Sequence, residues 1–212
     1  FERSPMYHAI FLEDVLDLMN VATYWPGQVP TAQVAQWREA AGRMLNWLAA
    51  MTHPDGEVAL FNDAAFGVAP NLEELRSYAQ RLNVSARMNL ALQKPGTADE
   101  PALVHFANSG YIRLETDSAV ALLDVAPVGP DYLPGHAHAD TLSFELSVFD
   151  QRVVVNGGTS RYGLGLERLR ERSTAAHSTV EVAGANSSEV WGGFRVARRA
   201  YPFDLQVQHK LG

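Results

Sequence analysis

The hydrophobic periodicity of the chain changes near residue 100, and this change constrains the fold more than any other feature. Residues 1–100 carry apolar side chains at helical spacing, whereas from residue 101 onwards apolar and polar side chains alternate in short runs. No helical pattern separates these short runs, which disfavours a parallel sheet. The sequence therefore predicts an α+β chain, with helices in residues 1–100 and an antiparallel β-sandwich in residues 101–212.

Three helices are predicted in the first part. Ser4 and Pro5 indicate the start of the first helix, with Ser4 as its N-cap. Thr31 is expected to cap a second helix, which ends at "THPDG" and has the apolar stripe Val34, Trp37, Ala41, Met44, Leu45 and Leu48. "NLEELRSYAQRL" predicts a shorter third helix, and "QKPGTADEP" reads as the linker to the β part.

Six segments of the second part predict strands: "GYIRLETD", "AVALLDV", "TLSFELSVF", "RVVVN", "STVEVAG" and "FRVARRAYPFDLQVQ". In the third of them, Leu142, Phe144, Leu146 and Val148 share one face. If that strand extends back to residue 136, then His136, His138 and Asp140 lie at the end of the same face. Pro134 and Gly135 weaken this argument if they disturb the pleat.

Composition excludes several classes of protein. The chain has 212 residues and no cysteine, so neither a disulfide framework nor a thiolate metal site is available. No apolar run approaches membrane-spanning length. The net charge of −7 and the absence of a basic stripe argue against nucleic-acid binding. A start at Phe1 without a signal segment and an end in strand-like sequence suggest a piece of a longer protein.

Positive charge is concentrated in the second part. Residues 151–212 carry 9 Lys/Arg against 5 Asp/Glu, whereas residues 1–150 carry 8 against 19. Eight of the nine cations are arginines, whose planar guanidinium groups suit carboxylate and sulfate. An anionic partner is therefore a candidate, although a solvated arginine-rich surface explains any single residue equally well.

A set of polar side chains in the β part suggests a site. "GHAHAD" places His136 and His138 before a strand, Asn156 lies at the end of another, and His177 precedes a third. Three histidines and an amide oxygen could ligate Zn²⁺. The alternative is a group of hydrogen-bonded loop residues without a metal.

Several of these segments resemble one family. "ERSPMYH", "GHAHADTLSFELSVFDQRVVVNGGTSRYG", "RSTAAHSTVEVAG" and "SSEVWGGFRVARRA" are similar to the heparinase II/III family of polysaccharide lyases, which includes oligo-alginate lyases. The resemblance implies the C-terminal helices of an incomplete (α/α) toroid followed by antiparallel sheets, with the substrate in a cleft between them. It also implies a bacterial periplasmic or secreted location.

The resemblance assigns roles residue by residue. Tyr7 matches a catalytic acid or base of the toroid, and His136 matches the catalytic histidine of the sheets. His138 and His177 match two ligands of a structural zinc, whose third ligand is usually an aspartate but here is Asn156. A neutral amide binds zinc far less well than a carboxylate, so we expect the zinc to be absent, weakly bound or replaced by hydrogen bonds.

The function predicted from these residues is β-elimination in a uronic-acid-containing polysaccharide, without an organic cofactor. We expect His8, Tyr162 and Arg172 to contact the anionic polysaccharide or oligosaccharide. The family's earlier toroid segment holds an Asn or Glu that neutralises the substrate carboxylate, so activity is expected of a longer protein. Two alternatives stay open: a non-catalytic polysaccharide-binding protein on the same scaffold, and a cupin-like metal enzyme.

Overall fold

The computed structural model describes residues 3–84 and 102–208. Within these residues, four α-helices and seven strands follow one another in the order α1 Pro5–Tyr24, α2 Thr31–Ala50, α3 Leu72–Arg81, β1 Ala102–Phe106, β2 Tyr111–Glu115, β3 Ala119–Asp124, β4 Phe144–Val148, β5 Gln151–Val154, α4 Leu166–Glu171, β6 Val190–Trp191 and β7 Arg195–Val196. The predicted linker and the boundary near residue 100 lie outside the described residues. None of the helices in the described ranges has the length and hydropathy needed to cross a membrane.

The three long helices form as their sequences predict, with one difference at a helix start. Ser4 caps α1 by accepting a hydrogen bond from the Tyr7 backbone N–H, and Pro5 takes the first helical position. Thr31 is already helical, however, and Pro30 occupies the N-cap without a side-chain hydrogen bond. The expectation that Thr31 caps α2 is therefore wrong, because the fixed φ of Pro30 begins the helix one residue earlier.

The apolar sides of α1, α2 and α3 pack on one another. Their shared core includes Leu12, Leu16, Met19, Leu45, Leu48 and Leu75. Burying one such side chain is worth about 1.5–3 kcal/mol relative to leaving it exposed. Packing of this core therefore holds the three helices together and sets where the first turn of α1 lies.

The second part contains a five-stranded antiparallel sheet in the order β1-β2-β3-β4-β5 and a two-stranded ribbon, β6-β7. The predicted α+β class is confirmed. Two predicted strand segments differ. Residues 178–184 are irregular apart from a single bridge between Val182 and Ala185, and residues 194–208 contribute only β7. The short helix α4 lies between β5 and β6, where no helix was expected.

β4 begins at Phe144 and does not extend back to the histidines. Leu142 has a φ of 63°, so the backbone there is left-handed and breaks the pleat. His136 and His138 consequently lie in the loop before the strand, and the shared-face argument for them is wrong. The buried face of β4 is its polar one, since Glu145 and Ser147 point inward while Phe144 is 39% exposed.

The sheet packs against the C-terminal end of α2 and the loop that follows it. Met51 and Phe61 of this region join Tyr111 and Leu122 of the sheet in one apolar cluster. The Arg113 guanidinium in β2 donates to the carbonyls of Ala50 and Thr52 at the end of α2, at 3.0 and 2.9 Å. The contacts at this junction place residues 62–63 beside the loop before β4, where the site lies.

Candidate functional site

Tyr7 and His136 meet where the helical part contacts the turns of the β part. The centroids of their rings are 4.3 Å apart, with a tilt of 45° between the planes. Tyr7 lies in the first turn of α1, and its position depends on the Ser4 cap. The imidazole of His136 remains 22% exposed, so both an aromatic hydroxyl and an imidazole border the solvent at this junction.

Tyr162 and Phe194 complete the aromatic surroundings of this pair. The hydroxyls of Tyr7 and Tyr162 are 2.7 Å apart, and the ring of Tyr162 stacks on Phe194 with centroids 5.7 Å apart. Both rings are 45% exposed. Burial and then the hydrogen bond with Tyr7 raise the pKa of the Tyr162 phenol well above its ordinary value. Tyr162 therefore stays protonated and can donate to the Tyr7 oxygen.

Asp63 lies behind His136 and is fully buried. One carboxylate oxygen is 2.8 Å from His136 Nδ1, and the other is 2.8 Å from His138 Nε2. Arg168 donates to both oxygens through its two terminal nitrogens. Burial alone would raise the pKa of Asp63, but hydrogen bonds from His136, His138 and Arg168 outweigh it and hold this pKa well below its usual range.

His138, His177 and Asn156 form a hydrogen-bonded chain that starts from Asp63. His138 Nδ1 is 3.2 Å from His177 Nε2, and His177 Nδ1 is 3.3 Å from the side-chain oxygen of Asn156. That oxygen also accepts from the Ser178 backbone N–H at 3.2 Å. Burial, and then the neighbouring His138, lower the pKa of His177 to about 3. The structure thus brings the three residues together in one hydrogen-bond network.

This donor set does not fit zinc. Two ring nitrogens 3.2 Å apart are spaced as two ligands of one ion would be, but Asn156 contacts the opposite nitrogen of His177. Structural zinc takes four ligands and catalytic zinc takes three from the protein. Among the residues that the structure describes, no group of three or more His, Cys, Asp or Glu side chains could hold a metal ion.

In this arrangement the side-chain oxygen of Asn156 contacts His177 Nδ1 and the Ser178 backbone N–H, which does not support the predicted role of Asn156 as a metal ligand. Its amide nitrogen is buried without a hydrogen-bond partner within the described part of the chain.

Two residues expected to bind substrate have other surroundings. Arg172 is 0% exposed, and its guanidinium donates to the carbonyls of Ala137, Gly192 and Arg195. Burial and then the charge of Arg168 lower the pKa of Arg172 to about 10. The guanidinium is thus enclosed by the turns around the site and held by their carbonyl groups, a position that does not support the predicted contact between Arg172 and substrate.

His8 follows Tyr7 in sequence but faces α2. Its ring packs on Trp47 with centroids 4.4 Å apart, and Nε2 is 2.9 Å from the Met44 carbonyl oxygen. Burial lowers the pKa of His8 to about 4, so the ring is neutral at pH 7. The predicted contact between His8 and substrate is not supported by this position.

Sequence reasoning missed Asp63 and Arg168, which are both central to the site. Asp63 follows α2 in a loop and is more than 70 residues from the histidines, with no motif joining them. The signal that could have found it is the apolar run "VALF" followed by "ND", which predicts a buried turn with a carboxylate. Arg168 had no comparable signal among the many arginines of its segment.

Comparisons with known proteins agree with the fold. A family profile described as "Heparinase II/III-like, C-terminal" matches residues 98–211. No curated protein matches the chain significantly. The structure is similar to a heparinase III (TM-score 0.64, 19% identity, 87% of this chain and 32% of that one). It is also similar to heparan sulfate lyase HepC from Pedobacter heparinus (TM-score 0.57, 19% identity, 90% of this chain and 32% of that one). The chain thus spans about a third of the length of these solved structures.

Proposed function

Because the chain belongs to the heparinase II/III-like family, we propose that the protein containing it is a polysaccharide lyase acting on uronic-acid-containing polymers. The observation that carries this proposal is the contact between Tyr7 and His136, whose ring centroids are 4.3 Å apart at a partly exposed junction. β-Elimination needs two groups that exchange protons with adjacent atoms of one sugar ring, and this pair supplies them.

The chemistry assigns a task to each side chain. Elimination removes the proton at C5 of the uronic acid and breaks its C4–O bond, which leaves a C4=C5 double bond on the uronic acid and a protonated anomeric hydroxyl, at C1, on the departing sugar. His136 and Tyr7 are the two proton-transfer groups, one taking the C5 proton and the other serving the leaving oxygen. Tyr162 supports this exchange, because its protonated hydroxyl at 2.7 Å stabilises negative charge on the Tyr7 oxygen.

The substrate carboxylate needs neutralisation before the C5 proton is acidic enough to remove. Two arginines near the C-terminal end of the described residues are already paired with acids: Arg198 with Glu189 at 2.9 Å and Arg199 with Asp131 at 3.0 Å. We assign the neutralising group to the part of the protein outside this chain, in keeping with the coverage of about a third of the similar structures.

Glycosaminoglycans are the first substrates to test. The similar solved structures are described as heparinase III and heparan sulfate lyase HepC, which favours sulfated uronate polymers over alginate as the substrate class. The exposed rings of Tyr162 and Phe194 beside the catalytic pair suit stacking against a sugar face.

The test measures formation of the unsaturated uronide through the rise in its ultraviolet absorbance. The complete protein is offered heparan sulfate, chondroitin sulfate and alginate, each with a parallel binding measurement. We expect absorbance to rise with at least one polymer, and a glycosaminoglycan to be turned over faster than alginate. Binding of these polymers without any absorbance change would replace the lyase by a non-catalytic polysaccharide-binding protein.

A further inference from the structure

We infer that Asp63 is a positioning residue that holds His136 with its proton on Nδ1 and couples His136 to the helix that carries Tyr7. The catalytic consequence of this inference rests on the proposed function. The coupling itself rests on contacts that connect one aspartate to both members of the pair.

Asp63 contacts His136 through side chain and backbone together. Its carboxylate oxygen is 2.8 Å from Nδ1, and its backbone N–H donates to the His136 carbonyl at 3.0 Å. An ionised carboxylate only accepts hydrogen bonds, so Nδ1 must carry the proton. The lone pair of the neutral ring is then on Nε2, and two hydrogen bonds fix where the ring points.

The same residue holds the start of α1. The carbonyl oxygen of Asp63 accepts a hydrogen bond from the Ser4 hydroxyl at 2.6 Å, and that hydroxyl accepts from the Tyr7 backbone N–H at 3.2 Å. Asp63 is therefore joined to Tyr7 through one intermediate side chain. Since it also binds His136 directly, its position sets the separation of the two rings.

Asp63 is itself held on every side. Arg168 donates to both carboxylate oxygens, and the Thr159 hydroxyl is 3.2 Å from one of them. The preceding residue, Asn62, has a φ of 57°, and its side chain bonds the Arg3 carbonyl and the His138 backbone N–H. A residue needed only to neutralise Arg168 would not require these contacts to both parts of the chain.

The test is an Asp63→Asn variant of the complete protein, which keeps the side-chain shape but removes the charge. Its matched control is Asp55→Asn, because Asp55 also binds an arginine, Arg152, through two oxygens at 2.7 and 3.1 Å. Two readouts are used: the protonated nitrogen of His136 from ¹⁵N NMR of the labelled histidines, and kcat and KM for unsaturated-uronide formation.

We expect Asp63→Asn to convert His136 from the Nδ1-protonated form to a mixture of tautomers. We also expect it to lower kcat by about 10²-fold with a smaller change in KM, as loss of one proton-transfer arrangement would. Asp55→Asn should change neither readout. If Asp63→Asn fails to fold because Arg168 is left buried without its partner, the same readouts are taken on Asp63→Asn combined with Arg168→Met.

An unchanged His136 tautomer in a folded Asp63 variant would overturn the inference, and so would a kcat equal to that of Asp55→Asn. The proposed function fails separately. If the wild-type protein forms no unsaturated product while the tautomer still changes on Asp63→Asn, the positioning role stands and the lyase assignment falls.

Discussion

At the scale of single residues, tertiary contacts decide roles that sequence position leaves open. Tyr7 and His8 are neighbours in sequence, yet Tyr7 contacts His136 and Tyr162 while His8 contacts Trp47 and Met44. A helix turns about 100° per residue, so adjacent side chains meet different partners. The burial of His8 therefore makes it a stability determinant, and this can be measured.

We predict that replacing His8 by Phe reduces the loss of stability in mild acid. The folded pKa of about 4 lies below the ordinary value of 6.5, so between these values the unfolded chain binds the proton and the folded chain does not. Stability is therefore complete above pH 6.5 and falls as the pH decreases toward 4. For this residue the loss between pH 7 and pH 5 is about 2 kcal/mol. Urea unfolding at both pH values measures this loss. A pH dependence of His8→Phe equal to that of the wild-type protein would show that His8 is not its source.

At the scale of helices and strands, local sequence signals predicted which helices and strands form better than where each one begins and ends. Ser4 and Pro5 predicted the start of α1 correctly because a cap is a local interaction. The extension of β4 back to His136 was wrong because the left-handed Leu142 is imposed by surrounding structure. The secondary structure of the segments after residue 156 was not predicted correctly, because their conformation depends on buried polar side chains such as Arg168 and Arg172.

We predict that Ser4→Ala lowers both stability and activity, whereas Asn71→Ala lowers stability alone. Each variant removes an N-cap, which costs about 1 kcal/mol. Ser4 additionally donates to the Asp63 carbonyl and holds the turn that carries Tyr7, while Asn71 caps α3 through a capping box with Glu74. Thermal unfolding and unsaturated-uronide formation by the complete protein separate the two effects. Equal activities for the two variants would show that the α1 cap does not position Tyr7.

At the scale of the whole molecule, buried polar contacts join the helical part to the sheet. Glu145 of β4 accepts hydrogen bonds from the backbone N–H groups of Leu60 and Asn156, at 2.9 and 3.2 Å. It also accepts from His53 at 2.9 Å and Arg152 at 3.2 Å. The opposite face of the sheet is apolar and partly exposed at Phe144 and Val153, as the inner face of a sandwich sheet would be. The alternating pattern of β4 predicted its two faces but not which one is buried.

We predict that Glu145→Gln destabilises the chain by about 3 kcal/mol, since an amide nitrogen would face donors in a buried site. Glu115→Gln on β2 is the control, because Glu115 pairs with Arg113 at 2.8 Å but is 35% exposed. Loss of this ion pair in Glu115→Gln should lower the free energy of unfolding by about 1 kcal/mol or less. Denaturant unfolding followed by circular dichroism compares the two variants. A cost for Glu145→Gln no larger than the control would mean that this network does not hold the parts together.

We propose that Tyr7 and His136 carry out the elimination, and the rate of unsaturated-uronide formation by Tyr7→Phe in the complete protein tests this pair directly. Tyr162→Phe is the matched control, because it removes the other hydroxyl of the same 2.7 Å contact. We predict that Tyr7→Phe lowers kcat by about 10²–10⁴-fold with polymer binding retained, and that Tyr162→Phe has a smaller effect. A near-normal rate for Tyr7→Phe, or a loss no greater than that of Tyr162→Phe, would show that Tyr7 is not a proton-transfer group.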